Sequence, residues 1–457
     1  MIILIGAGLR GVAMLGYPPA MYFNDTFDYI HAALDPYPHP LRPDGYSFLL
    51  FALKPFHSFL LVTGVQHLLG LAMGVMIYAT LRHRFRLPGW GAALAAAPVL
   101  LDGYQIQLEH LILSDTLFAF LVVSAVTLLL WRDRPGPGAA AVLGLLLAWA
   151  WLTRTLGLPV LLGVCVYLLL RRVGWRALAV TLTACAVPVV AYMSWFAGVH
   201  GQFSMTSADG VFLFARAYKF ADCHKIPNLT AAEQQLCVQP AHKLPNSQDG
   251  IWDRRSPLKR VRDQRFGPEQ NAVAGSFSRK AIMAQPGDYL RVVAKDFLRS
   301  FRWDRPVFPD PKTFRQYEFK PHEPPLPMWR MANGKGPSAA GVAIIYEGGR
   351  ARTMVVEPYA EVIRVYQDHV YLRGTLLGGL LLVGLAGMVR SWRRFGGAAF
   401  LPWSLATGLL LAPAATVEFD YRYVLPAVPL ASLAAGIACA QYALSRRSRS
   451  SSSRSSV

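Results

Sequence analysis

The stretch from Phe56 to Arg86 reads FHSFLLVTGVQHLLGLAMGVMIYATLRHRFR, and it decides the fold class. Its first part, 56–81, contains no Asp, Glu, Lys or Arg and is longer than the roughly 20 residues that a membrane-spanning helix needs. Basic residues follow immediately, at 82, 84 and 86. An apolar run that ends in a basic cluster predicts a membrane helix whose end lies on the cytoplasmic side.

The composition of the whole chain agrees with this interpretation. Of 457 residues, 53% are hydrophobic and only 16% are charged, whereas soluble domains carry about 25% charged residues. The net charge is +19, but the basic residues are scattered and no nucleic-acid recognition module accompanies them. We therefore predict an integral protein of the lipid bilayer that has no nucleic-acid partner.

Apolar runs recur along most of the chain. We predict an all-α polytopic membrane protein with about ten transmembrane helices. The segments are 1–20, 56–81, 88–103, 112–131, 138–153, 156–170, 176–198, 370–389, 397–416 and 424–444. They divide the chain into four parts. An N-terminal transmembrane region 1–198 includes a first loop 21–55, in which we expect short interfacial helices. An extracytoplasmic loop domain 199–369 lies between helices seven and eight, and it is followed by a C-terminal transmembrane region 370–444 and a disordered cytoplasmic Ser/Arg tail 445–457.

The basic clusters predict the orientation of these helices. They follow the second, fourth, sixth, eighth and tenth segments: Arg82 to Arg86, Arg132-Asp133-Arg134, Arg171 to Arg176, Arg390 to Arg394, and Arg446 to Arg449. Positive residues favour the cytoplasmic side, so we expect a multi-pass protein of the cell membrane with both termini in the cytoplasm. No basic region precedes the first apolar run, so we expect that segment to be an uncleaved anchor.

The cysteines and the long loop add three expectations. Cys223 and Cys237 lie in the loop domain, where an oxidising compartment would allow a disulfide between them. The sequence demands no metal or other cofactor, because no Cys/His spacing typical of a metal site occurs. Residues 271–301 predict two helices broken at 286, and the second is either one face of a subdomain core or an amphipathic helix on the membrane surface.

Carboxylates in the first loop are the leading candidates for chemistry. Asp25, Asp28 and Asp44 follow the first apolar segment on the predicted outer side. A carboxylate that accepts a proton from a hydroxyl turns it into a nucleophile, so Asp25 and Asp28 are candidate catalytic residues. The alternative is that one of them caps a short interfacial helix.

A second polar group surrounds the start of the fourth segment. Glu109 and His110 stand at its outer mouth, and Asp115 lies about one turn inside. An ionisable residue in an apolar helix is a functional candidate, although Asp115 could form a hydrogen bond between helices and His110 could be an ordinary interfacial residue.

Arginines occur near the same predicted face. Arg10, Arg154 and Arg422 stand in or at the ends of apolar segments, and Arg42 lies in the first loop. The planar guanidinium matches the oxygen pair of a phosphate, so these residues predict an anionic headgroup site. The alternative is that their side chains extend to ordinary lipid phosphates.

Four stretches together resemble the GT-C superfamily of integral-membrane glycosyltransferases, in particular bacterial relatives of protein mannosyltransferases and aminoarabinose transferases. They are Asp25-Thr26-Phe27-Asp28-Tyr29, His39-Pro40-Leu41-Arg42-Pro43-Asp44-Gly45-Tyr46, Glu109 to Phe118, and Arg422-Tyr423-Val424-Leu425-Pro426-Ala427-Val428-Pro429. The likeness covers roughly the first 200 residues and the last 90, and it leaves out the loop 199–369.

The resemblance implies an inverting transfer of a sugar from a polyprenyl-phosphate donor to an acceptor hydroxyl on the extracytoplasmic face. The family's first-loop Asp corresponds to Asp25, and Asp28 stands where a Glu adjacent to that Asp is common in the family. Arginines would hold the lipid phosphate and stabilise the leaving group. The candidate substrate-binding residues are Arg10, Arg42, Asp44, Glu109, His110, Asp115, Arg154, Arg422 and Tyr423.

Two other functions compete with this one. A transporter or lipid flippase would show internal repeats and broken helices around a midplane site, and we find no repeat in the sequence. A non-catalytic envelope assembly protein would tolerate replacement of Asp25 and Arg422. Mannose and arabinose donors, and protein, lipid and polysaccharide acceptors, all remain open at the level of sequence.

The orientation can be tested by cysteine labelling. We expect a cysteine introduced near Ser338 to react with a membrane-impermeant thiol reagent from outside, whereas a cysteine in the tail beyond residue 445 should react only after the membrane is permeabilised. Labelling of the Ser338 region from the cytoplasmic side alone would contradict the predicted topology.

Overall fold

Helices make up the regular structure of the protein. The computed structural model describes residues 1–132, 134–239, 242–261, 266–330 and 336–454, and from 444 to 454 it describes the backbone alone. Within these ranges there are two isolated β-bridges and no extended strand. Asp133, part of one predicted basic cluster, and the end of the tail, 455–457, lie outside the described residues.

The α-helices are numbered here in chain order. The first ten are α1 (Ile2–Gly16), α2 (Thr26–Leu34), α3 (Gly45–Leu53), α4 (Phe59–Ala79), α5 (Gly89–Leu101), α6 (Gly103–His110), α7 (Asp115–Trp131), α8 (Pro137–Thr153), α9 (Gly157–Leu170) and α10 (Trp175–His200). The remainder are α11 (Asp209–Phe220), α12 (Ala231–Gln234), α13 (Asp249–Trp252), α14 (Pro268–Ala284), α15 (Pro286–Arg299), α16 (Pro311–Phe314), α17 (Ala339–Glu347), α18 (Tyr359–His369), α19 (Gly374–Arg390), α20 (Phe400–Thr416) and α21 (Val428–Arg454).

Each predicted apolar segment coincides with a helix, namely α1, α4, α5, α7 to α10 and α19 to α21. Four helical stretches are long and apolar enough to cross a membrane: Phe59–Arg84, Trp175–His200, Gly397–Thr416 and Tyr421–Ala443. A fifth is present if α18 and α19, bent by 56°, form one span. The fold is therefore all-helical and of the membrane type.

The number of crossings stays a prediction. The other apolar helices have 10–17 residues, and an α-helix rises 1.5 Å per residue, so even the longest of them covers only about 26 Å of a hydrocarbon core of about 30 Å. Such a helix spans the bilayer only together with the non-helical residues at its ends. The figure of about ten spans and the side on which the long loop lies are not tested by these lengths.

Local chemistry explains where several helices begin. Pro137, Pro268 and Pro286 occupy the first turns of α8, α14 and α15, where the missing N–H costs no hydrogen bond. The Ser58 hydroxyl accepts a hydrogen bond from the backbone at the start of α4, and the Asp102 carboxylate does the same for α6. The predicted break between two helices near 286 is confirmed.

The residues of the long loop build a hydrophobic core of their own. Phe214 and Phe277, from α11 and α14, are fully buried in it. The disulfide Cys223–Cys237 is formed, and both cysteines pack against this core. In α15, one face is buried at Val293 and Asp296, whereas two leucines at positions 290 and 298 are more than 60% exposed. This helix therefore has features of both predicted alternatives.

Two further predictions concern the first loop and the tail. The loop 21–55 contains two short helices, α2 and α3, as expected. The backbone of α21 continues through Arg454, across most of the segment predicted to be disordered from 445. A helix that has already formed extends at little cost because each added residue adds a hydrogen bond.

Two glycines allow a matched test of helix packing. A Cβ on Gly144 of α8 would lie 2.3 Å from the carbonyl oxygen of Thr181 in α10, whereas a Cβ on Gly198 of α10 would meet nothing within 4 Å. We expect Gly144→Ala to lower the melting temperature in detergent and Gly198→Ala to leave it equal or raise it, because Ala favours a helix by about 1 kcal/mol over Gly. Equal shifts in both variants would contradict the close packing of α8 on α10.

Candidate functional site

The first loop is fixed to the segment that joins α6 and α7. The backbone N–H of Met21 donates to the carbonyl of His110 (3.1 Å), and that of Ile112 donates to the carbonyl of Met21 (3.1 Å). The Thr26 hydroxyl donates to the carbonyl of Ile112 (2.8 Å). These bonds hold the start of α2, and with it Asp25, beside the start of α7.

Asp25 lies between two arginines. Its Oδ2 is 2.8 Å from Nη1 of Arg42 and 2.9 Å from Nη1 of Arg422. Arg42 also donates to Asp28 through Nη2, at 3.1 Å. The side chains of Asp25 and Arg42 are each 17% exposed and that of Arg422 is 11% exposed, so solvent screens these charges only partly.

The pKa values of both first-loop carboxyls are lowered. Burial raises the pKa of Asp25, but the guanidinium groups of Arg42 and Arg422 outweigh burial and hold it well below its usual range. Burial likewise raises the pKa of Asp28, and His39 and Arg42 together bring it below normal. Both groups are therefore carboxylates at neutral pH.

A second ion pair continues the cluster. Arg154, which follows α8, pairs with Asp115 at the start of α7. The ring of Tyr423 lies 5.2 Å from the guanidinium carbons of both Arg154 and Arg422, so it connects the two cations. The structure thus brings together most of the predicted site: Asp25, Asp28, Arg42, Asp115, Arg154, Arg422 and Tyr423.

Hydrogen-bonding capacity remains unused in this cluster. Nε of Arg42, Nε of Arg422 and Oδ2 of Asp115 are buried and have no hydrogen-bond partner among the described residues. A buried charged group normally has its donors and acceptors satisfied. The cluster therefore retains capacity to bind a polar or anionic ligand.

Asp44 has a different place from the one predicted. It is 2% exposed, and its Oδ2 accepts hydrogen bonds from the backbone N–H of His39 (3.0 Å) and from the hydroxyl of Tyr192 (3.0 Å). Burial raises the pKa of Asp44 to about 6. Asp44 therefore holds the 39–44 turn that carries Arg42, and we assign it a positioning role.

Two residues that the sequence analysis did not single out support Arg422. The Asp420 carboxylate accepts a hydrogen bond from the Tyr317 hydroxyl (2.9 Å) and lies 3.6 Å from Nε of Arg422. Burial raises the pKa of Asp420. The position of Asp420 two residues before Arg422 could have drawn attention to it, whereas nothing in the loop sequence marked Tyr317.

His39 is the other residue that sequence reasoning did not propose for the site. Its Nε2 lies 3.6 Å from Oδ1 of Asp28. His39 belongs to the Pro-rich stretch that resembles the glycosyltransferase motif, and this position in the sequence could have indicated a role in the site.

Arg10 lies outside this cluster, and its hydrogen bonds are made to groups of the helix packing. Its Nε and Nη2 donate to the two carboxylate oxygens of Glu109 at 2.7 and 2.8 Å, and its Nη1 donates to the carbonyl of Leu100 at 2.8 Å. Each nitrogen of the guanidinium donates a hydrogen bond within the protein, so no pair of N–H donors is left to bind a phosphate. The predicted role of Arg10 in phosphate binding gains no support from this geometry.

Glu109 and His110 belong to the same buried network. Nδ1 of His67 is 3.0 Å from Glu109, and its Nε2 is 3.1 Å from Nδ1 of His110. The other ring nitrogen of His110 is 2.9 Å from the carbonyl oxygen of Tyr17. Glu109 and His110 are fully buried, so we place them in a network that joins α1, α4 and α6 and not in the substrate site.

No metal site is evident in the described part of the chain. No group of three or more His, Cys, Asp and Glu side chains is arranged there to hold an ion.

Comparison with known proteins adds weak similarities. The chain matches no protein-family model and no curated protein sequence. Among solved structures it is similar to the Archaeoglobus fulgidus oligosaccharyltransferase in the apo form (12% identity, TM-score 0.42, 95% of this chain and 49% of that one). It is also similar to ArnT from Cupriavidus metallidurans bound to undecaprenyl phosphate (13%, 0.36, 96% and 76%).

A third similar structure is the S. cerevisiae protein O-mannosyltransferase Pmt1–Pmt2 complex bound to the sugar donor (14% identity, TM-score 0.35, 50% of this chain and 36% of that one). The chain thus spans about half or less of the oligosaccharyltransferase and mannosyltransferase chains. TM-scores below 0.5 reflect loose superposition, so neither a residue role nor a reaction follows from them.

The buried network gives a stability prediction. Glu109→Gln leaves the guanidinium of Arg10 buried without a full charge partner, and we expect it to lower the free energy of unfolding by about 3 to 5 kcal/mol. The exposed Glu361→Gln in α18 is the control and should change it by less than about 0.5 kcal/mol. Chemical unfolding in detergent micelles measures both, and a Glu109→Gln protein as stable as the control would show that the pair is not structurally important.

Proposed function

We propose that the protein is a glycosyltransferase that moves a sugar from a polyprenyl-phosphate donor to an acceptor hydroxyl, with inversion at the anomeric carbon. The observation that carries this proposal is the position of the Asp25 carboxylate between Arg42 and Arg422. A carboxylate can accept a proton, and the adjacent guanidinium groups can bind a phosphate. Glycosyl transfer from a lipid phosphate needs these two functions side by side.

The acceptor would be activated by Asp25. The acceptor hydroxyl gives its proton to the Asp25 carboxylate while its oxygen forms a bond to the anomeric carbon. The bond from that carbon to the phosphate oxygen breaks at the same time, and its electron pair leaves with the lipid phosphate. Attack from the face opposite to the leaving phosphate inverts the configuration.

The arginines would stabilise the phosphate as its negative charge grows. Arg422 and Arg42 each have a buried Nε with no hydrogen-bond partner among the residues that the structure describes, and Arg154 faces the same tyrosine ring as Arg422. Fixed cations in a poorly solvated site stabilise developing charge more strongly than water does. These residues are therefore the proposed donor-phosphate contacts, with Tyr423 between them.

Binding of the phosphate would also make Asp25 a better base. The same guanidinium groups that lower the pKa of Asp25 would turn part of their hydrogen bonding toward the phosphate. Each arginine has a second carboxylate close by, Asp28 for Arg42 and Asp420 for Arg422, so it stays charge-paired during the exchange. The proton acceptor is then strengthened when the donor is present.

The proposed location is the extracytoplasmic side of the cell membrane. The first loop, the start of α7 and the junction before α21 meet in one cluster, and the basic clusters of the sequence predict that these elements lie on the side opposite the cytoplasm. The acceptor is an unidentified hydroxyl compound, and the sugar of the donor is likewise unassigned.

Sugar transfer in membranes tests the proposal. The donors are radiolabelled polyprenyl-phosphate mannose and arabinose, and the proteins are wild type and Asp25→Asn at equal expression. We expect the variant to lose 100-fold or more of the transfer rate, because loss of a general base removes about 10² to 10⁴ in rate. Asp35→Asn, which changes an exposed Asp at the end of α2, is the matched control and should retain wild-type activity.

The other outcomes have definite meanings. Equal transfer by wild type and Asp25→Asn, above a no-protein control, would assign the base to another residue, with Asp28 next. Absence of transfer from every donor would contradict the proposal and favour a transporter, a lipid flippase or a non-catalytic assembly protein.

A further inference from the structure

Helix α15 lies across the ends of two apolar helices of the bundle. The hydroxyl of Tyr289, in its first turn, donates to the carbonyl of Ala415 at the end of α20 (3.1 Å). Just beyond the other end of α15, the ring of Phe301 packs beside Gly378 in α19, where an added Cβ would lie 3.4 Å from the ring. Successive membrane helices run in opposite directions, so the start of α19 and the end of α20 face the same side of the bilayer. Helix α15 therefore lies at the level of one membrane surface.

One face of α15 packs on the protein. Val293 and Asp296 are buried, and the ring of Phe297 packs against the main hydrophobic core. The Asp296 carboxylate accepts a hydrogen bond from the backbone N–H of Phe419 (3.3 Å) and pairs with Arg216 of α11. These contacts fix the rotation of the helix about its own axis. They also attach it to the loop domain and to the junction before α21.

An adjacent face of α15 carries exposed apolar side chains. Leu290, Ala294 and Leu298 are spaced by four residues and therefore lie one above the other along the helix. The two leucines are 61% and 62% exposed, and Ala294 is exposed as well. We call these three residues the leucine row. A single exposed leucine is ordinary, but an aligned row beside the ends of membrane helices is typical of a helix that contacts lipid.

Basic residues lie along the other side of the leucine row. An α-helix turns by about 100° per residue, so Arg291 and Lys295, each one position after a member of the row, lie on the side opposite to the buried Val293. The side chain of Arg291 is 81% exposed, and it pairs with Asp288 (3.3 Å). Lys295 and Arg302 are exposed and form no ion pair within the described residues. We call Arg291, Lys295 and Arg302 the cationic strip.

An exposed tryptophan follows the helix. Trp303 is 57% exposed, and the guanidinium carbon of Arg373, which precedes α19, lies 5.5 Å from the centre of its ring. Tryptophan is enriched where the hydrocarbon of a bilayer meets water, because its ring is apolar and its N–H is polar. Trp303 therefore agrees with a membrane boundary at the start of α19.

We propose that α15 is a membrane-surface helix whose leucine row enters the acyl region of the bilayer and whose cationic strip binds the phosphate groups of anionic phospholipids. Burial of the apolar row and attraction between basic residues and a negatively charged surface both favour this position. The helix then attaches the loop domain to the membrane beside α19 and α20. This attachment does not depend on the proposed sugar transfer.

Quenching of a fluorescent label in proteoliposomes tests the insertion. Leu298→Cys carries a bimane label in the full-length protein, in which the three free cysteines are replaced by Ala and the disulfide is kept. The quenchers are a phosphatidylcholine with a spin label on its acyl chain and iodide in the water. Leu382→Cys, 66% exposed in the middle of α19, is the lipid reference. Ala231→Cys, exposed in α12 of the loop domain, is the water reference.

The two quenchers give opposite results for lipid and for water. We expect the lipid quencher to reduce the fluorescence of the label at 298 nearly as much as at 382, and iodide to reduce it far less than at 231. Quenching by iodide as strong as at 231 would place the leucine row in water, and protection from both quenchers would place it under another protein. Either result would overturn the proposal. Leu290→Cys lies on the same row and gives the same comparison if the protein labelled at 298 does not fold.

The class of lipid is tested with the same label and a spin-labelled phosphatidylglycerol. We expect this lipid to quench the label at 298 at about fivefold lower mole fraction than phosphatidylcholine, which corresponds to the roughly 1 kcal/mol that one basic residue near a charged bilayer contributes. Lys295→Gln combined with Arg302→Gln should remove the preference, whereas Lys259→Gln, an exposed basic residue of the loop domain outside α15, should keep it. Equal quenching by the two lipids with the cationic strip intact, or a preference unchanged in the double variant, would overturn the assignment to anionic phospholipids.

Discussion

The structure of the candidate site depends on the pairing of buried charges. Asp25 and Arg422 are 397 positions apart in the chain, yet their side chains meet, and Arg42 joins them from the first loop. An ionised group that leaves water must find a partner of opposite charge, or its burial is strongly unfavourable. This requirement joins the first loop to the junction before α21.

The pairing of buried charges has two different outcomes in this protein. Arg10 and Glu109 satisfy each other almost completely, so their pair holds helices together and leaves nothing for a ligand. In the Asp25 cluster, Arg42, Arg422 and Asp115 each retain one atom that has no hydrogen-bond partner in the described part of the chain. The Arg10–Glu109 pair and the ion pairs of the proposed site therefore differ in the hydrogen bonds that remain open, and residue type alone does not reveal this difference.

The long loop takes part in the site even though its sequence resembles no module. Tyr317 contacts Asp420, and its ring stacks on Phe23 at 5.5 Å. Asp296 of α15 pairs with Arg216 and accepts a hydrogen bond from the backbone of Phe419. Contacts from two parts of this loop therefore fix the junction that carries the second arginine of the Asp25 cluster.

The sequence by itself determined where the apolar helices lie, that 21–55 contains short helices and that α14 ends before Pro286, because apolar runs, caps and prolines act locally. It also indicated Asp25 and Arg422 through their motifs. Only the tertiary structure decided that Arg10 pairs with Glu109. The choice of partner for a charged side chain depends on which distant helices pack together, and no local pattern contains that information.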